Sequence, residues 1–196
     1  MKNLIFTLIA ISSIALIAFT GPVVIKSVDT AKSTVTWKGY KVTGSHEGTI
    51  DLAKGDLLVQ DGELTGGNFT IDVTSLKVTD ITGGGAQKLE GHLKSDDFFG
   101  VADHPTANLV ITKVAPRGTE GSYKVTGDIT IKGTTKEIRF NTQLTEEMGQ
   151  TVAVADIELD RTDFGLRYGS GSFFDNLGDK TIYDEFELSI RLVAGE

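Results

Sequence analysis

Histidine is the residue type most often used for metal binding and for proton transfer near neutral pH, and this chain has three of them. His46, His92 and His104 are separated by spacings far longer than those of a zinc-binding helix or a zinc finger. The chain has no cysteine, which excludes thiolate nucleophiles, cysteine zinc sites, iron–sulfur clusters and disulfides. The sequence therefore predicts no metal site.

Carboxylates and glycines are the other residues from which a reactive site could be built. The glycine-rich runs 83–85 and 165–171 lack the features of a phosphate-binding loop, and the first lacks its Gly-Lys-Ser/Thr ending. Ser170 lacks the glycine two residues before it that a nucleophile elbow needs. The acidic residues form two groups, one of Asp96 and Asp97 and one of Asp175, Asp179, Asp184 and Glu185. Neither group has the alternate spacing of a calcium-binding loop. We interpret them as solvated loops and expect neither an enzyme nor a cofactor.

Composition and charge narrow the class of partner. Hydrophobic residues make up 39% and charged residues 23% of the 196 residues, which is ordinary for a soluble globular domain. The formal net charge is -8, and an acidic surface is repelled by nucleic acid and by anionic membranes. We therefore expect no nucleic-acid partner, while a homodimer remains open.

The N-terminal segment carries information on compartment. Residues 1–20 combine an early positive charge at Lys2, an uncharged apolar run and small residues at 18–20, which is typical of a secretory signal peptide. This predicts a mature domain at 21–196, a periplasmic or secreted location and no stable membrane insertion once the signal is removed. The alternative is an uncleaved anchor, since no further charge appears before Lys26.

Short runs of alternating apolar and polar residues, separated by glycine turns, fill the rest of the chain, as in an all-β sandwich or barrel. A period of two places the apolar residues of each run on one face of a strand. These sets are Val35 with Trp37; Phe69, Ile71 and Val73; Tyr123, Val125, Ile129 and Ile131; Ile138, Phe140 and Leu144; Ala153, Ala155, Ile157 and Leu159; and Ile182, Phe186, Leu188, Ile190 and Leu192. Seven or eight strands of this kind predict an eight-stranded antiparallel β-barrel, because closure removes exposed sheet edges.

Two kinds of segment interrupt the alternation. Leu89 and Leu93 lie four residues apart within Ala86–Phe99, which predicts a short helical insertion followed by a turn at Ser95–Asp97. Turns are predicted at Ala53-Lys54-Gly55-Asp56, Gln60-Asp61-Gly62, Arg117–Gly121, Lys132-Gly133 and Met148-Gly149.

The interior of such a barrel is either filled by side chains or wide enough for one ligand. Ala153 and Ala155 are small residues on an inward face and leave room, although tight packing against the helix would explain them equally well. The aromatic residues at 98–99, at 173–174 and at Phe164 either seal the ends of the core or line the mouth of a pocket.

Four motifs then occur in a fixed order along the chain. They are His92-Leu93-Lys94-Ser95-Asp96-Asp97-Phe98-Phe99 with His104-Pro105, Gly127-Asp128-Ile129-Thr130-Ile131-Lys132-Gly133-Thr134-Thr135-Lys136, Asp160-Arg161-Thr162-Asp163-Phe164-Gly165, and Ser33-Thr34-Val35-Thr36-Trp37. Together they resemble the YceI-like family over nearly all of Ser27–Ala194. Two features depart from the commoner family pattern, namely Trp37–Tyr40 and the long acidic loop Asp175–Asp179.

The resemblance implies a lipocalin-like eight-stranded barrel whose lumen binds a polyisoprenoid or similar amphiphilic lipid, such as a quinone or a polyprenyl chain, for transport, storage or sequestration. We expect the wall and mouth of that lumen to include Trp37, Phe69, Ile71, Leu89, Leu93, Phe98, Phe140 and Phe186.

Arg161 either holds a head group near the mouth or pairs with Asp163 or a loop carbonyl. A filled barrel that binds a protein partner through its acidic loops is the first alternative to a lipid carrier. The second is a lipid hydrolase, for which the sequence shows no nucleophile–base pair.

Overall fold

The computed structural model describes residues 21–195, so the predicted signal peptide at 1–20 lies outside the described residues. Two 3₁₀ helices lie at Arg161–Phe164 and Gly178–Lys180. The other elements are β1 (Val23–Val28), β2 (Thr34–Lys41), β3 (Gly44–Gln60), β4 (Glu63–Val78), α1 (Gly84–Lys94), β5 (Thr106–Pro116), β6 (Ser122–Ile131), β7 (Thr134–Glu147), β8 (Gln150–Asp160) and β9 (Ile182–Gly195).

The nine described strands form one closed antiparallel barrel with eight positions around the ring. β3 has 17 residues, and its first part pairs with β2 while its second part pairs with β1. Both of these strands also pair with β9, so β1 and β2 share one position in the ring. The other edge of β3 pairs with β4, and this ladder closes the barrel. The predicted eight-stranded barrel with one short helix is confirmed.

The predicted alternation places the apolar side chains inside. Tyr123, Val125, Ile129 and Ile131 of β6 are all buried, as is Val35 of β2. The other inward residues of the predicted runs belong to or pack against the same core cluster. Burial of each large apolar side chain stabilises the fold by roughly 1.5–3 kcal/mol. The core is therefore the inner wall of the barrel.

One predicted turn is wrong. Residues 53–56 lie inside β3, where the pairing with β4 shifts register between Leu52 and Lys54 through a β-bulge. Gly55 is needed there because the ring of Phe69 lies against it, and a Cβ atom at Gly55 would lie 2.6 Å from Phe69 Cδ1. A glycine that permits close approach was therefore mistaken for a glycine that permits a turn.

The short hairpins are confirmed. Asp61 and Gly62 join β3 to β4 with φ values of 52° and 84°, the left-handed pair that a two-residue hairpin turn requires. Lys132-Gly133 joins β6 to β7 and Met148-Gly149 joins β7 to β8, each with positive φ at both residues.

The helix α1 begins two residues before the predicted stretch and packs against β4. Glu90 Oε1 accepts a hydrogen bond of 2.9 Å from the backbone N–H of Val78 at the end of that strand. Ser95 ends the helix as predicted, since its N–H and its hydroxyl both donate to the carbonyl of His92. No helix among residues 21–195 is both long and apolar enough to cross a membrane.

Strand direction defines two ends of the barrel. The mouth end carries α1, the β2–β3 turn, the β6–β7 hairpin and the connection 161–181 between β8 and β9. The base carries the hairpins at 61–62 and 148–149 and the β5–β6 loop. Tyr123 closes the base from within, because it is only 2% exposed and its hydroxyl donates to Glu63 Oε2 at 2.6 Å while it accepts from the Leu64 N–H.

This base contact predicts a stability change at alkaline pH. Burial and the hydrogen bond to Glu63 raise the pKa of the Tyr123 hydroxyl to about 12, against about 10 for an unfolded tyrosine. The folded state holds this proton more tightly, so the contribution is complete below about pH 10 and is lost as the pH rises towards about 12. Tyr123→Phe should lower the free energy of unfolding by about 0.5–1.5 kcal/mol at pH 8, and the deficit should shrink above about pH 10.

Urea unfolding followed by the fluorescence of Trp37 measures this difference as a function of pH. Tyr183→Phe is the matched control, because Tyr183 is half-exposed at the mouth. A deficit for Tyr123→Phe that stays constant from neutral to strongly alkaline pH would contradict the prediction.

Candidate functional site

The barrel holds a cavity of about 270 Å³ that opens at the mouth end. Inward residues of β2, β3, β4, β6 and β9 form its wall, and Leu89 and Leu93 of α1 form part of its upper edge. Ionisable groups border it only near the entrance, among them Lys41, Arg161 and Glu185. The volume lies just below the range of roughly 300–1,000 Å³ that is usual for small-molecule pockets.

A second cavity of about 60 Å³ continues the first towards the base. The two share Val35, Ile71, Ile129 and Leu188, which form a waist between them. The interior therefore contains two adjacent empty spaces with apolar walls and shared lining residues. A long, narrow, apolar molecule matches this arrangement better than a compact polar one.

The structure brings all eight residues predicted for the wall and mouth around this lumen. Phe69 and Phe140 lie at the lower cavity, and Ile71 lies at the waist. The other five border the upper cavity, and they are Trp37, Leu89, Leu93, Phe98 and Phe186. Their contact with a ligand stays a prediction.

The inward alanines of β8 border empty space. Ala153 and Ala155 line the lower cavity, whereas α1 lines the upper one and packs on β4. Tight packing against the helix is therefore the wrong explanation for them. Their small side chains leave the lower part of the lumen open.

The aromatic residues for which the sequence left two roles open lie in different surroundings. Phe98 and Phe99 line the upper cavity, and Phe164 is buried in the core. Phe173 and Phe174 neither seal the core nor line a cavity, and they are 46% and 51% exposed in the connection between β8 and β9 at the mouth end. For this last pair the core-sealing interpretation is wrong.

Arg161 is the best-anchored polar side chain at the mouth. Its side chain is only 5% exposed, and it donates to the carbonyls of Leu166 at 2.6 Å, Ile182 at 3.0 Å and Tyr183 at 3.0 Å. A fourth hydrogen bond of 3.1 Å reaches Asp184 Oδ1. The expectation of loop carbonyls is confirmed, whereas a pair with Asp163 is wrong.

The remaining interactions around Arg161 fix its surroundings. Asp163 instead pairs at the surface with Lys136 at 3.2 Å. Asp184 Oδ2 accepts from the hydroxyls of Ser170 at 3.0 Å and Ser172 at 2.6 Å. Burial lowers the pKa of Arg161, and the negative charge of Asp184 opposes that effect. Since most of its donors are already engaged, Arg161 acts as a clamp that ties residues 166–184 to the end of β8.

The histidines at the mouth are partners of aromatic rings and carboxylates. His46 Nδ1 lies 2.8 Å from Asp80 Oδ2. Burial raises the pKa of the Asp80 carboxyl, but the hydrogen bonds from His46 and the Glu47 N–H outweigh this effect. The pKa of Asp80 is therefore below its ordinary value. His92 packs edge-on against Phe98 at 5.0 Å and Tyr168 at 4.5 Å. Within residues 21–195 the buried Nε2 atom of His92 has no hydrogen-bond partner, and no cluster of three or more metal-ligating side chains is found.

Several cavity residues were not named among the predicted site residues. Ile50 and Val73 lie on strands, and Val73 shares the alternating face that identified Ile71, so the same signal could have found it. Leu166 comes from an irregular segment that folds back under Arg161 and is 1% exposed. No local pattern in the sequence marks such a residue.

The closed ring of eight positions and its apolar lumen define the class of lipocalin-like barrels. Three solved structures share the fold. Burkholderia cenocepacia BcnA has a TM-score of 0.71 at 24% identity, over 85% of this chain and 99% of that one. A polyisoprenoid binding domain from Saccharophagus degradans has a TM-score of 0.61 at 15% identity, over 87% of this chain and 97% of that one. A Campylobacter jejuni YceI protein has a TM-score of 0.53 at 21% identity, over 68% of this chain and 74% of that one.

Sequence comparison identifies the family within that class. Residues 27–194 match the YceI-like domain, and the chain belongs to the YceI-like family. A UPF0312 protein of Shewanella denitrificans is 34% identical over 87 residues, which cover 41% of this chain and 44% of that protein. A UPF0312 protein of Photorhabdus laumondii is 34% identical over 80 residues, which cover 41% of this chain and 38% of that protein. The matched stretches thus span less than half the length of these relatives.

The clamp formed by Arg161 predicts a large loss of stability when its charge is removed. Arg161→Met removes the cationic partner of Asp184 and one hydrogen bond to each of three carbonyls, and the free energy of unfolding should fall by about 3–5 kcal/mol. Arg161→Lys keeps a positive charge but lacks the planar fork, so it should lose less.

Urea unfolding measures both variants. Lys136→Met is the control, because it breaks an exposed pair with Asp163 that contributes at most about 1 kcal/mol. Equal stability of Arg161→Met and Lys136→Met would show that Arg161 is no clamp.

Proposed function

We propose that the protein binds an isoprenoid or similar amphiphilic lipid in the barrel lumen and transports, stores or sequesters it. A quinone and a polyprenyl chain are the expected kinds of ligand. The observation that carries the proposal is the pair of adjacent apolar cavities inside the barrel, of which the larger is bordered by polar groups at the mouth.

Membership of the YceI-like family supports the proposal, as does the similarity in fold to a domain described as polyisoprenoid-binding. The eight wall and mouth residues predicted from the sequence all border the same lumen, where a chain lipid would contact them.

The energetics of an apolar lumen suit a chain ligand. Each five-carbon isoprene unit contributes about 4 kcal/mol on burial, at about 0.8 kcal/mol per carbon. Association costs roughly 4–15 kcal/mol, so a few buried units outweigh that cost without a precise set of polar contacts. Ile71, Leu188 and their neighbours at the waist supply the apolar contacts that such a chain needs.

We also propose that binding occurs without catalysis. Arg161 and His46 border the cavity, but both already pair with carboxylates, Asp184 and Asp80 respectively. An open lumen opposes the alternative of a filled barrel that serves only as a scaffold for a protein partner.

The proposed location is the periplasm or the extracellular space. The support for it is the composition of residues 1–20, which carries the charge, apolar run and small residues of a signal peptide. The intact mass of protein recovered from its host shows directly whether this segment has been removed.

A larger side chain at the base of the lumen tests the proposal. Ala155→Phe should fill the cavity of about 60 Å³ and shorten the lumen. Affinity for an isoprenoid alcohol of about four units should fall by roughly tenfold or more, while an alcohol of about two units, which needs only the upper cavity, should bind as before. Fluorescence titration of Trp37 in the cavity wall reports binding.

Val110→Phe is the matched control, because Val110 faces outward from β5 and is half-exposed. It should change neither affinity. Unfolding experiments on Ala155→Phe should show a loss below about 1 kcal/mol, less than the 1–3 kcal/mol expected for overpacking a filled core. Equal affinity of wild type and Ala155→Phe for both chain lengths would sink the proposal of a chain lipid that reaches the base.

A further inference from the structure

Five large apolar side chains are exposed together at the mouth end of the barrel. We refer to Val42, Tyr168, Phe173, Phe174 and Tyr183 as the mouth rim, and each is between 46% and 51% exposed. Scattered exposed hydrophobic residues are normal, whereas a group of them beside a cavity marks an interaction surface.

The rim is held in place by hydrogen bonds between its three segments. The Val42 N–H donates to the Thr181 carbonyl at 3.2 Å, and the Ile182 N–H donates to the Gly169 carbonyl at 2.8 Å. The N–H groups of Phe173 and Phe174 both donate to the carbonyl of Ser170, at 3.2 and 3.0 Å.

Side-chain contacts add to this support. Ser170 is fully buried and is bound to Asp184, which also pairs with Arg161. The guanidinium of Arg167 lies 4.4 Å from the ring centre of Phe173. The exposed aromatic rings therefore project from a fixed support.

The rim is continuous with the lumen. Tyr183 lines the upper cavity, and the ring of Tyr168 lies 4.5 Å from His92 and 5.8 Å from Phe98, both of which also line it. An apolar molecule that leaves the cavity would meet the rim before it met water.

The charge of the rim differs from that of the whole protein. The net charge of the chain is -8, but the rim segments 41–42 and 165–185 come close to balance. Their charged side chains are Lys41, Arg167 and Lys180 on the positive side and Asp175, Asp179 and Glu185 on the negative side, while Asp184 is paired with the buried Arg161. The acidic protein as a whole is repelled by an anionic membrane surface. The electrically balanced rim meets no electrostatic repulsion at the surface of a zwitterionic membrane. Tyrosine and phenylalanine rings favour the interface between lipid head groups and acyl chains.

We propose that the mouth rim docks the barrel on the surface of a zwitterionic phospholipid bilayer. The aromatic side chains enter the interface and the cavity faces the lipid, so that an apolar ligand passes between bilayer and lumen without crossing water. Docking goes beyond the proposed function and needs no ligand, whereas the transfer step rests on that function.

The test uses phosphatidylcholine vesicles and the full chain. Phe173→Ser combined with Phe174→Ser should weaken vesicle binding by about tenfold or more in a flotation assay, because two apolar rings are removed from the interface. Met148→Ser is the matched control, since Met148 is an exposed apolar residue at the base of the barrel. It should bind as wild type does.

Fluorescence locates the contact. Phe174→Trp should shift its emission to the blue when vesicles are added, and Met148→Trp should not. Uptake of the isoprenoid alcohol of about four units from detergent micelles should be equal in wild type and the double serine variant. This measurement on the same preparations separates docking from the ligand-binding proposal.

Two results would overturn docking through the rim. One is vesicle binding that survives both serine substitutions, which would place the contact elsewhere on the chain or in residues 1–20. The other is the absence of any spectral shift for Phe174→Trp while wild type binds, which would leave the rim free for a protein partner.

Discussion

Ring closure through β3 is the constraint on which the rest of the structure depends. This strand pairs with β2 and β1 in succession along one edge and with β4 along the other, so it carries three of the ladders that close the barrel. An eight-position ring is wide enough to leave a lumen and narrow enough for side chains to line it without gaps in the wall. Without that closure the apolar inner face would be an exposed sheet with unpaired edges.

The two ends of the barrel are closed in different ways, and the difference determines where a ligand could enter. At the base, Tyr123 and Glu63 hold the interior shut with a partly buried hydrogen bond. At the mouth, Arg161 fixes the irregular segment between β8 and β9 by binding its carbonyls, and this leaves the cavity open beside α1. A rigid entrance next to an apolar lumen permits binding by burial of the ligand alone.

The faces of the strands could be predicted because alternation is a local signal. Phe69, Ile71 and Phe186 lie on the lumen as their position in each run indicated. The glycine turn signal, by contrast, failed at Gly55, because the need for glycine there arises from the ring of Phe69 on the neighbouring strand. Strand pairing brings those residues together, and the sequence order does not show it.

The partners of Arg161 could not be predicted from spacing either. The nearby Asp163 suggested a short-range pair, but the ion pair formed is with Asp184, which is 23 residues away and reaches the arginine through the β8–β9 ladder. Likewise, the predicted runs included Val35 and Trp37 of β2 but none in β1, and the shared place of these two strands in the ring follows only from the length of β3. Tertiary pairing decided each of these features.

Native mass spectrometry of the protein purified from its own host, followed by lipid extraction, tests the central claim most directly. We expect one bound apolar molecule per protein molecule, either with several isoprene units or a similar amphiphilic lipid. A mass without any passenger, together with no thermal stabilisation by added quinones or polyprenols, would contradict the assignment of the lumen as a lipid-binding site.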